Sequence, residues 1–507
     1  MCGIFYIHSV NAIDLQLAEQ VCAKYIDPRG PDVTSTRVSD NSFYYTSVLP
    51  IHKTTHHVDD VQFVGELFDL TPDTDEVEYL KRVDPRVFVD FNHNGMYSIL
   101  WHRKNTVLAT SDPQGERRLF YYKDSDTLMI SSVPGAIARM LVQPSISRPS
   151  LKRYLSQKHH ILTDGCMIEG IYELPRGLWE YDKRTLSFDR IKTFDYTSWK
   201  SSSDVVDALK TEIDRMKQHE GMANVACTIS GGIDSSTVAY IYKPQHTFAL
   251  RFVDKNCTAS LSEVLSHKVG SNHRILDVTV QRYAESALRC IDLMAGVMPT
   301  HSMASMHYLG KKVRESGFTV LYGGDGADEL LLGYPYYQQP SAVAYSDVLS
   351  DNHSLSYDSV YASQFDLLSD NETKRQSLYD YFFQCGSCQF ASADIAISDS
   401  GVEYRTPFGR KPVASSSFGL PADVLLKGQL GKAPLVKFFK DSFGIQPLPK
   451  TGFAGYPNEL KYLVQDITLT EEEQKLFDET SSYLSERDYE WKLVNYKLFK
   501  KVYNVQL

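Results

Sequence analysis

The sequence predicts a β-rich α+β layered structure followed by an α/β unit with a doubly wound parallel sheet. Three observations carry this. Residues 1 to about 195 hold many short β-type segments separated by turns. From about residue 204, strand-like and helix-like runs alternate, the pattern of a parallel sheet covered by helices. Between the halves lies a polar, serine-rich joint, Ser198 to Asp204, which sets the expected domains at 1–197 and 204–507.

In the first half, Phe43-Tyr44-Tyr45-Thr46, Val61-Gln62-Phe63-Val64, Tyr97-Ser98-Ile99-Leu100-Trp101 and Leu119-Phe120-Tyr121-Tyr122 read as strands. Residues 14–26 carry a helical apolar period through Leu17, Val21 and Tyr25. In the second half, Val225–Ile229, Thr247–Phe252, Ile275–Val280 and Phe318–Tyr322 are strand-like. They alternate with helix-like Leu261–Val269, Tyr283–Met294 and Ser302–Glu315. A ligand crevice is expected beyond the carboxyl ends of such strands. From about Thr470 the chain reads as helical, with Trp491, Val494, Leu498, Val502 and Val505 on one apolar stripe. Lys492, Lys497, Lys500 and Lys501 are expected mostly off that stripe, and the helix is expected to pack on the second half.

The chain has 507 residues, with 42% hydrophobic and 23% charged, which are globular values. A net charge of −10 argues against a nucleic-acid or anionic-membrane partner. No apolar run approaches the ~20 residues that span a bilayer, and Met1-Cys2-Gly3-Ile4-Phe5 lacks the basic start of a signal peptide. Cys22, Cys166, Cys227, Cys257 and Cys290 stand isolated, as buried free thiols do. The pair Cys385 and Cys388 is a weak metal or redox signal by itself. The expectation is a reduced, cytoplasmic enzyme with no membrane partner.

The loop Ser230-Gly231-Gly232-Ile233-Asp234-Ser235-Ser236 follows a strand-like run and opens a helix. Backbone N–H groups and the positive helix end converge there, which makes an anion cradle. The glycines admit close approach of a phosphate. No Gly-Lys-Ser/Thr follows, so the loop is not a Walker motif. It resembles the pyrophosphate loop of ATP pyrophosphatases, which split ATP into AMP and pyrophosphate and activate a carboxyl group as an acyl-adenylate.

Cys2 follows Met1 directly. With the initiator removed, its α-amine, of reference pKa ~8, can activate its own thiol. The start resembles the N-terminal nucleophile (Ntn) amidotransferases, which release ammonia from glutamine. Arg29-Gly30-Pro31-Asp32, Gly65-Glu66-Leu67-Phe68 and Ser111-Asp112-Pro113-Gln114-Gly115 resemble further elements of that family. In this order, the two halves resemble the glutamine-dependent asparagine synthetase family from Cys2 to about Tyr456. Ile171-Tyr172-Glu173-Leu174-Pro175-Arg176-Gly177 resembles its linker-proximal turn.

The resemblance implies an Ntn hydrolase-like layered sandwich followed by an ATP pyrophosphatase domain. It implies ATP and Mg²⁺ as cofactors, glutamine or ammonia as nitrogen source, and a carboxylate small molecule as acceptor. It is compatible with a homodimer. Gly323-Gly324-Asp325-Gly326-Ala327-Asp328-Glu329 resembles the family's acidic loop. Opposite a phosphate loop, acidic oxygens suit Mg²⁺, which takes one or two carboxylates plus phosphate. Asp234 and Asp328 are the expected metal ligands. Ser230, Gly231, Gly232, Asp234, Ser235, Ser236 and Gly324 are expected at the nucleotide. Asp325 is expected to orient or deprotonate the attacking amine. Gly431-Lys432-Ala433-Pro434-Leu435 resembles the segment whose lysine neutralises developing negative charge; Lys432 is preferred, with Lys427 second. Pro434 falls inside the expected helix. Lys450 matches a second basic position.

Departures from the family pattern set the open alternatives. Val48 stands where the family has the Arg for the glutamine α-carboxylate, and Val64 stands at the oxyanion-hole Asn, leaving Gly65 N–H as donor. Asp73 or Asp75 would hold the glutamine amine. Ala393-Asp394-Ile395-Ala396 replaces the usual Asp-Arg-Met, Gly409-Arg410 replaces Leu-Asp, and Pro299–Ser305 lacks the aspartate-binding Arg. These features predict slow or altered glutaminase chemistry, and an acceptor other than aspartate is open. The alternative function is a glutamine-independent ATP-driven ligase or cyclase resembling β-lactam synthetases and lasso-peptide cyclases. A binding or scaffold protein is the third reading.

Overall fold

The computed structural model describes residues 2–39, 41–49, 51, 60–156, 166–253, 259–338, 359–428, 430–448, 455–481 and 484–507. Among the described residues the first half contributes eleven strands: β1 Cys2–Ser9, β2 Val33–Ser39, β3 Ser42–Val48, β4 Val61–Leu67, β5 Gly95–His102, β6 Thr106–Ser111, β7 Phe120–Lys123, β8 Thr127–Ser131, β9 Ile171–Glu173, β10 Leu178–Asp182 and β11 Ser187–Lys192. They form two antiparallel sheets, ordered β2-β3-β1-β8-β7-β9 and β11-β10-β6-β5-β4. The second half contributes β12 Val225–Thr228, β13 His246–Phe252, β14 Asn272–Val278, β15 Val320–Tyr322 and β16 Glu403–Arg405. These five make one wholly parallel sheet, ordered β14-β13-β12-β15-β16.

Period-two alternation shows why the first two sheets stack. Along β1, Ile4 and Tyr6 join Tyr44, Val64, Leu100, Leu128 and Ile130 in the layer between the sheets. Phe5 and Ile7 face the other way, toward the helix Leu15–Tyr25 with its buried Ala18, Val21, Cys22 and Tyr25. Asp14 caps that helix, accepting from Leu17 N–H at 3.0 Å. The expected strands at 43–46, 61–64, 97–101 and 119–122 fall in β3, β4, β5 and at β7.

The parallel sheet arises from the predicted alternation. Its helices include Ile233–Tyr242, Ala259–Val269, Val280–Met294 and Ser302–Glu315. Its strand order reverses beside β12, between β13 and β15, which is the topological switch point where α/β sheets open a crevice. β16 was not predicted as a strand. It has three residues, too few for a periodic signal, and is fixed by pairing with β15.

Two expectations are corrected. Pro434 does not interrupt a helix, because the helix Ala433–Phe443 begins one residue before it. At that position the missing N–H has no intrahelical partner to lose. Lys492 is not off the packed stripe of the last helix, Glu486–Tyr503. It is fully buried, and its ammonium donates to the carbonyls of Tyr154 and Leu155 at the end of helix Arg148–Ser156. The C-terminal helix thereby packs on both halves; Asn495 also holds Met298 through its N–H at 3.1 Å and its carbonyl at 2.9 Å. No described helix is long and apolar enough to cross a membrane.

Candidate functional site

The Ser230 loop lies at the carboxyl end of β12, and the Asp325 loop at the carboxyl end of neighbouring β15. Adjacent parallel strands thus deliver both loops to the switch point. Gly231 sits at φ +90°, a conformation that favours glycine. Ser235 stabilises the turn, receiving the Ser230 N–H at 3.1 Å and lying 3.0 Å from the Ser230 hydroxyl. Helix Ile233–Tyr242 then starts with Asp234 in its first turn and Ser235 and Ser236 buried. Gly324 is needed for contact between the loops: a Cβ there would lie 2.5 Å from Ser235 N and 2.8 Å from Asp234 Cβ.

The Asp325 loop, the Ser230 loop and a distant lysine meet at one point. Lys432 Nζ lies 2.7 and 2.8 Å from the two carboxylate oxygens of Asp234, and 2.6 Å from Asp328 Oδ1. Lys432 is buried and sits at φ +50° just ahead of helix Ala433–Phe443. Its amine packs under Gly333, where a side chain would overlap it and Asp328. Three residues named from sequence, nearly 200 positions apart, therefore converge. Two carboxylates within reach of one cation, one of them in the first turn of a helix, suit a hard divalent ion completed by phosphate oxygens. Among the described residues no cluster of three or more His, Cys, Asp or Glu could enclose an ion alone. Asp234 and Asp328 could hold a divalent ion there.

Asp325 is held from the other side. Tyr404 of β16 donates its hydroxyl to Asp325 Oδ2 at 2.5 Å. Burial and the Asp325 charge push the Tyr404 phenol well above its ordinary range, so it remains a donor. Gly323 makes room for that ring. Glu329, next to Asp328, accepts from Tyr334 at 2.6 Å and from Gln389 at 3.1 Å.

In the first half, Cys2 and Val48 are direct partners in the β1–β3 register, and Gly30 packs on the Val48 backbone. The Cys2 side chain lies outside the described residues, as do Lys450 and the Cys385 side chain. Gly65 lies in β4 at φ +116°. It faces Tyr97, whose N–H and carbonyl are both turned to Asp112 on the opposite side. Gly65 is therefore in a non-hydrogen-bonded pair of the outermost strand. Asp75 caps helix Glu76–Arg82, accepting from Val77 and Glu78 N–H at 3.1 Å each, and Asp73 is exposed in the preceding turn.

Sequence reasoning missed how tightly the halves are joined at these sites. Arg29 sends Nη2 to both oxygens of Asp394, at 3.1 and 2.8 Å, and Arg117 reaches Asp394 at 2.6 Å. Arg405 binds Glu66, and Arg410 pairs with Glu116. The departures at Asp394 and Arg410 were visible as residues, but their partners lie some 280 to 365 positions away and left no local signal.

The fold and site define a parallel α/β unit with a phosphate-type cradle, faced by a lysine and paired carboxylates, joined to a two-sheet β layer. The family model for asparagine synthase matches residues 214–483, more than half of the chain, and the chain belongs to that family. Asparagine synthetase B [glutamine-hydrolyzing] of Escherichia coli (strain K12) is 26% identical over 263 residues, covering 47% of this chain and 42% of that protein. Asparagine synthetase [glutamine-hydrolyzing] of Bos taurus is 24% identical over 236 residues, covering 43% and 36%. The match thus spans less than half the length of these relatives. A solved glutamine phosphoribosylpyrophosphate amidotransferase from B. subtilis aligns over 65% of this chain and 77% of that one at 10% identity. Its TM-score of 0.25 is too low to carry an argument.

Proposed function

We propose that the protein is an ATP-dependent amide-forming ligase that activates a small-molecule carboxylate and aminates it with ammonia drawn from glutamine. The observation that carries this is the meeting of Lys432 with Asp234 and Asp328 beside the Ser230–Ser236 loop. The acceptor carboxylate oxygen would attack the α-phosphate of ATP, expelling pyrophosphate and forming an acyl-adenylate. Ammonia would then attack the acyl carbon and expel AMP. The loop N–H groups and Lys432 would bind and neutralise the pyrophosphate, a task suited to a compact ammonium. Mg²⁺ held by Asp234 and Asp328 would supply further charge neutralisation. Asp325, oriented by Tyr404, would receive a proton from the attacking amine.

The reading assigns residues 1–197 to an Ntn glutaminase domain and 204–507 to the synthetase. Cys2 would open glutamine, with Gly65 N–H stabilising the oxyanion. Buried Val48 and Val64 leave that site without the family's Arg and Asn, so glutamine turnover is expected to be slow. The buried free thiols Cys22, Cys166, Cys227 and Cys290 favour a reducing, cytoplasmic setting. A homodimer is part of the proposal.

The test is a panel of small carboxylic acids scored by pyrophosphate release with glutamine, with ammonium and with neither. Carboxylate-dependent AMP and pyrophosphate are expected with ammonium, more slowly with glutamine, and the glutamine-driven rate should vanish in Cys2→Ala. ADP as product overturns the adenylation. Equal product without any ammonia source shifts the reading to a ligase or cyclase whose amine belongs to a second substrate.

A further inference from the structure

We infer that Arg405 of the synthetase half is the positioning residue for the Gly65 N–H, acting through its ion pair with Glu66. The inference rests on the proposed reading of Cys2 and Gly65 as a glutamine site. Arg405 is fully buried and its fork is committed on every side. Nη2 donates to both Glu66 oxygens, at 2.5 and 2.6 Å, and to His219 O at 2.8 Å. Nη1 donates to Met216 O at 2.9 Å and Tyr322 OH at 3.3 Å, and Nε to Glu403 at 2.6 Å. A planar guanidinium with that many fixed partners has one orientation. Glu66 therefore has one as well, and it is the residue next to Gly65.

The strand facing Gly65 is held from the same half. Met96 is the register partner of Glu66, and its carbonyl occupies the space a Gly65 side chain would need. Arg117 lies 3.3 Å from Met96 Sδ and 3.3 Å from Tyr404 O, and is anchored on Asp394. Successive side chains of a strand point to opposite faces. On β16, Tyr404 accordingly serves Asp325 while Arg405 serves Glu66. One three-residue strand holds the amine-handling carboxylate of one site and the donor strand of the other.

The experiment uses the full chain with Glu66→Gln, which removes the charge and keeps the shape, and Arg405→Lys, which keeps the charge and loses the fork. Glutamate release from glutamine and ammonium-driven pyrophosphate release are measured side by side. Since one oxyanion donor is worth ~10²–10³ in rate, a displaced donor is expected to lower kcat for glutamate release roughly tenfold or more, with KM for glutamine little changed. Glu66→Gln is expected to leave the ammonium-driven rate near wild type. Equal loss of both activities, no loss of glutamate release, or failure of both variants to fold assigns the pair to stability alone and overturns the inference. Wild-type protein that runs on ammonium yet releases no glutamate overturns the glutamine-site reading, and the inference falls with it. Wild-type activity in both assays with unaltered variants overturns the inference only.

Discussion

Lys432 Nζ sits 2.7 Å from Asp234 Oδ1 across 198 positions of sequence, in the place where the Ser230 loop meets the Asp325 loop. One ammonium there holds the start of the helix after β12 against the loop after β15, because Asp328 shares it. Replacing Lys432 by Met should leave the partly buried Asp234 and the buried Asp328 without their shared ammonium. Breaking a buried pair costs about 3–5 kcal/mol, so chemical denaturation should show a loss of that order. Carboxylate-dependent pyrophosphate release should fall by roughly 10²-fold or more, as for other charge-stabilising groups.

Gly324→Ala should act on both ATP binding and stability. The new methyl would meet Ser235 N and Asp234 Cβ, so the phosphate loop must retreat. The expected outcome is a raised KM for ATP together with a lowered melting temperature. An unchanged KM would show that the loops are free to separate.

Asp394→Ala should destabilise the chain strongly. It would leave Arg29 and Arg117 buried without their shared carboxylate. Denaturant titration should register a loss on the order of 3–5 kcal/mol. Asp394→Asn should lose less, since the amide oxygen still accepts.

Asp380 makes stability depend on pH. Burial raises its carboxyl to about 7, against the opposing hydrogen bonds from Tyr337 and Tyr336. An acid with a folded pKa above its unfolded value of ~3.9 lets the unfolded chain ionise first. Stability from this group is full below about pH 4, falls as pH rises toward 7 and then levels. At 1.36 kcal/mol per unit, the loss is about 4 kcal/mol. Asp380→Asn should therefore raise the melting temperature more at pH 8 than at pH 4.

The two halves were legible in the sequence for different reasons. The parallel sheet showed itself through alternating runs, because strands such as Val225–Thr228 and helices such as Ser302–Glu315 each carry a complete local pattern. The Ser230 loop and Asp325 loop were legible because backbone geometry there demands glycine at fixed spacing. Strand β16 was not, since three residues carry no period. Nor was the burial of Lys492, where a charged residue is held by two helix-end carbonyls supplied from 338 and 337 positions away. The use of Arg29 was also hidden: its motif pointed to the first half's own site, whereas its guanidinium is spent on Asp394. Pairings of this kind depend on how sheets stack, which no local window records.

The placement of Lys492 and Asn495 has a consequence for synthesis of the chain. Domains generally fold in order as they leave the ribosome. Here the carbonyls of Tyr154 and Leu155 in helix Arg148–Ser156 can meet the Lys492 ammonium only once residue 492 has emerged, and the Ile146 N–H pairs with Gln506 O. These contacts tie residues 146–155 to residues 492–506, so they close only more than 330 positions after the helix has left the ribosome.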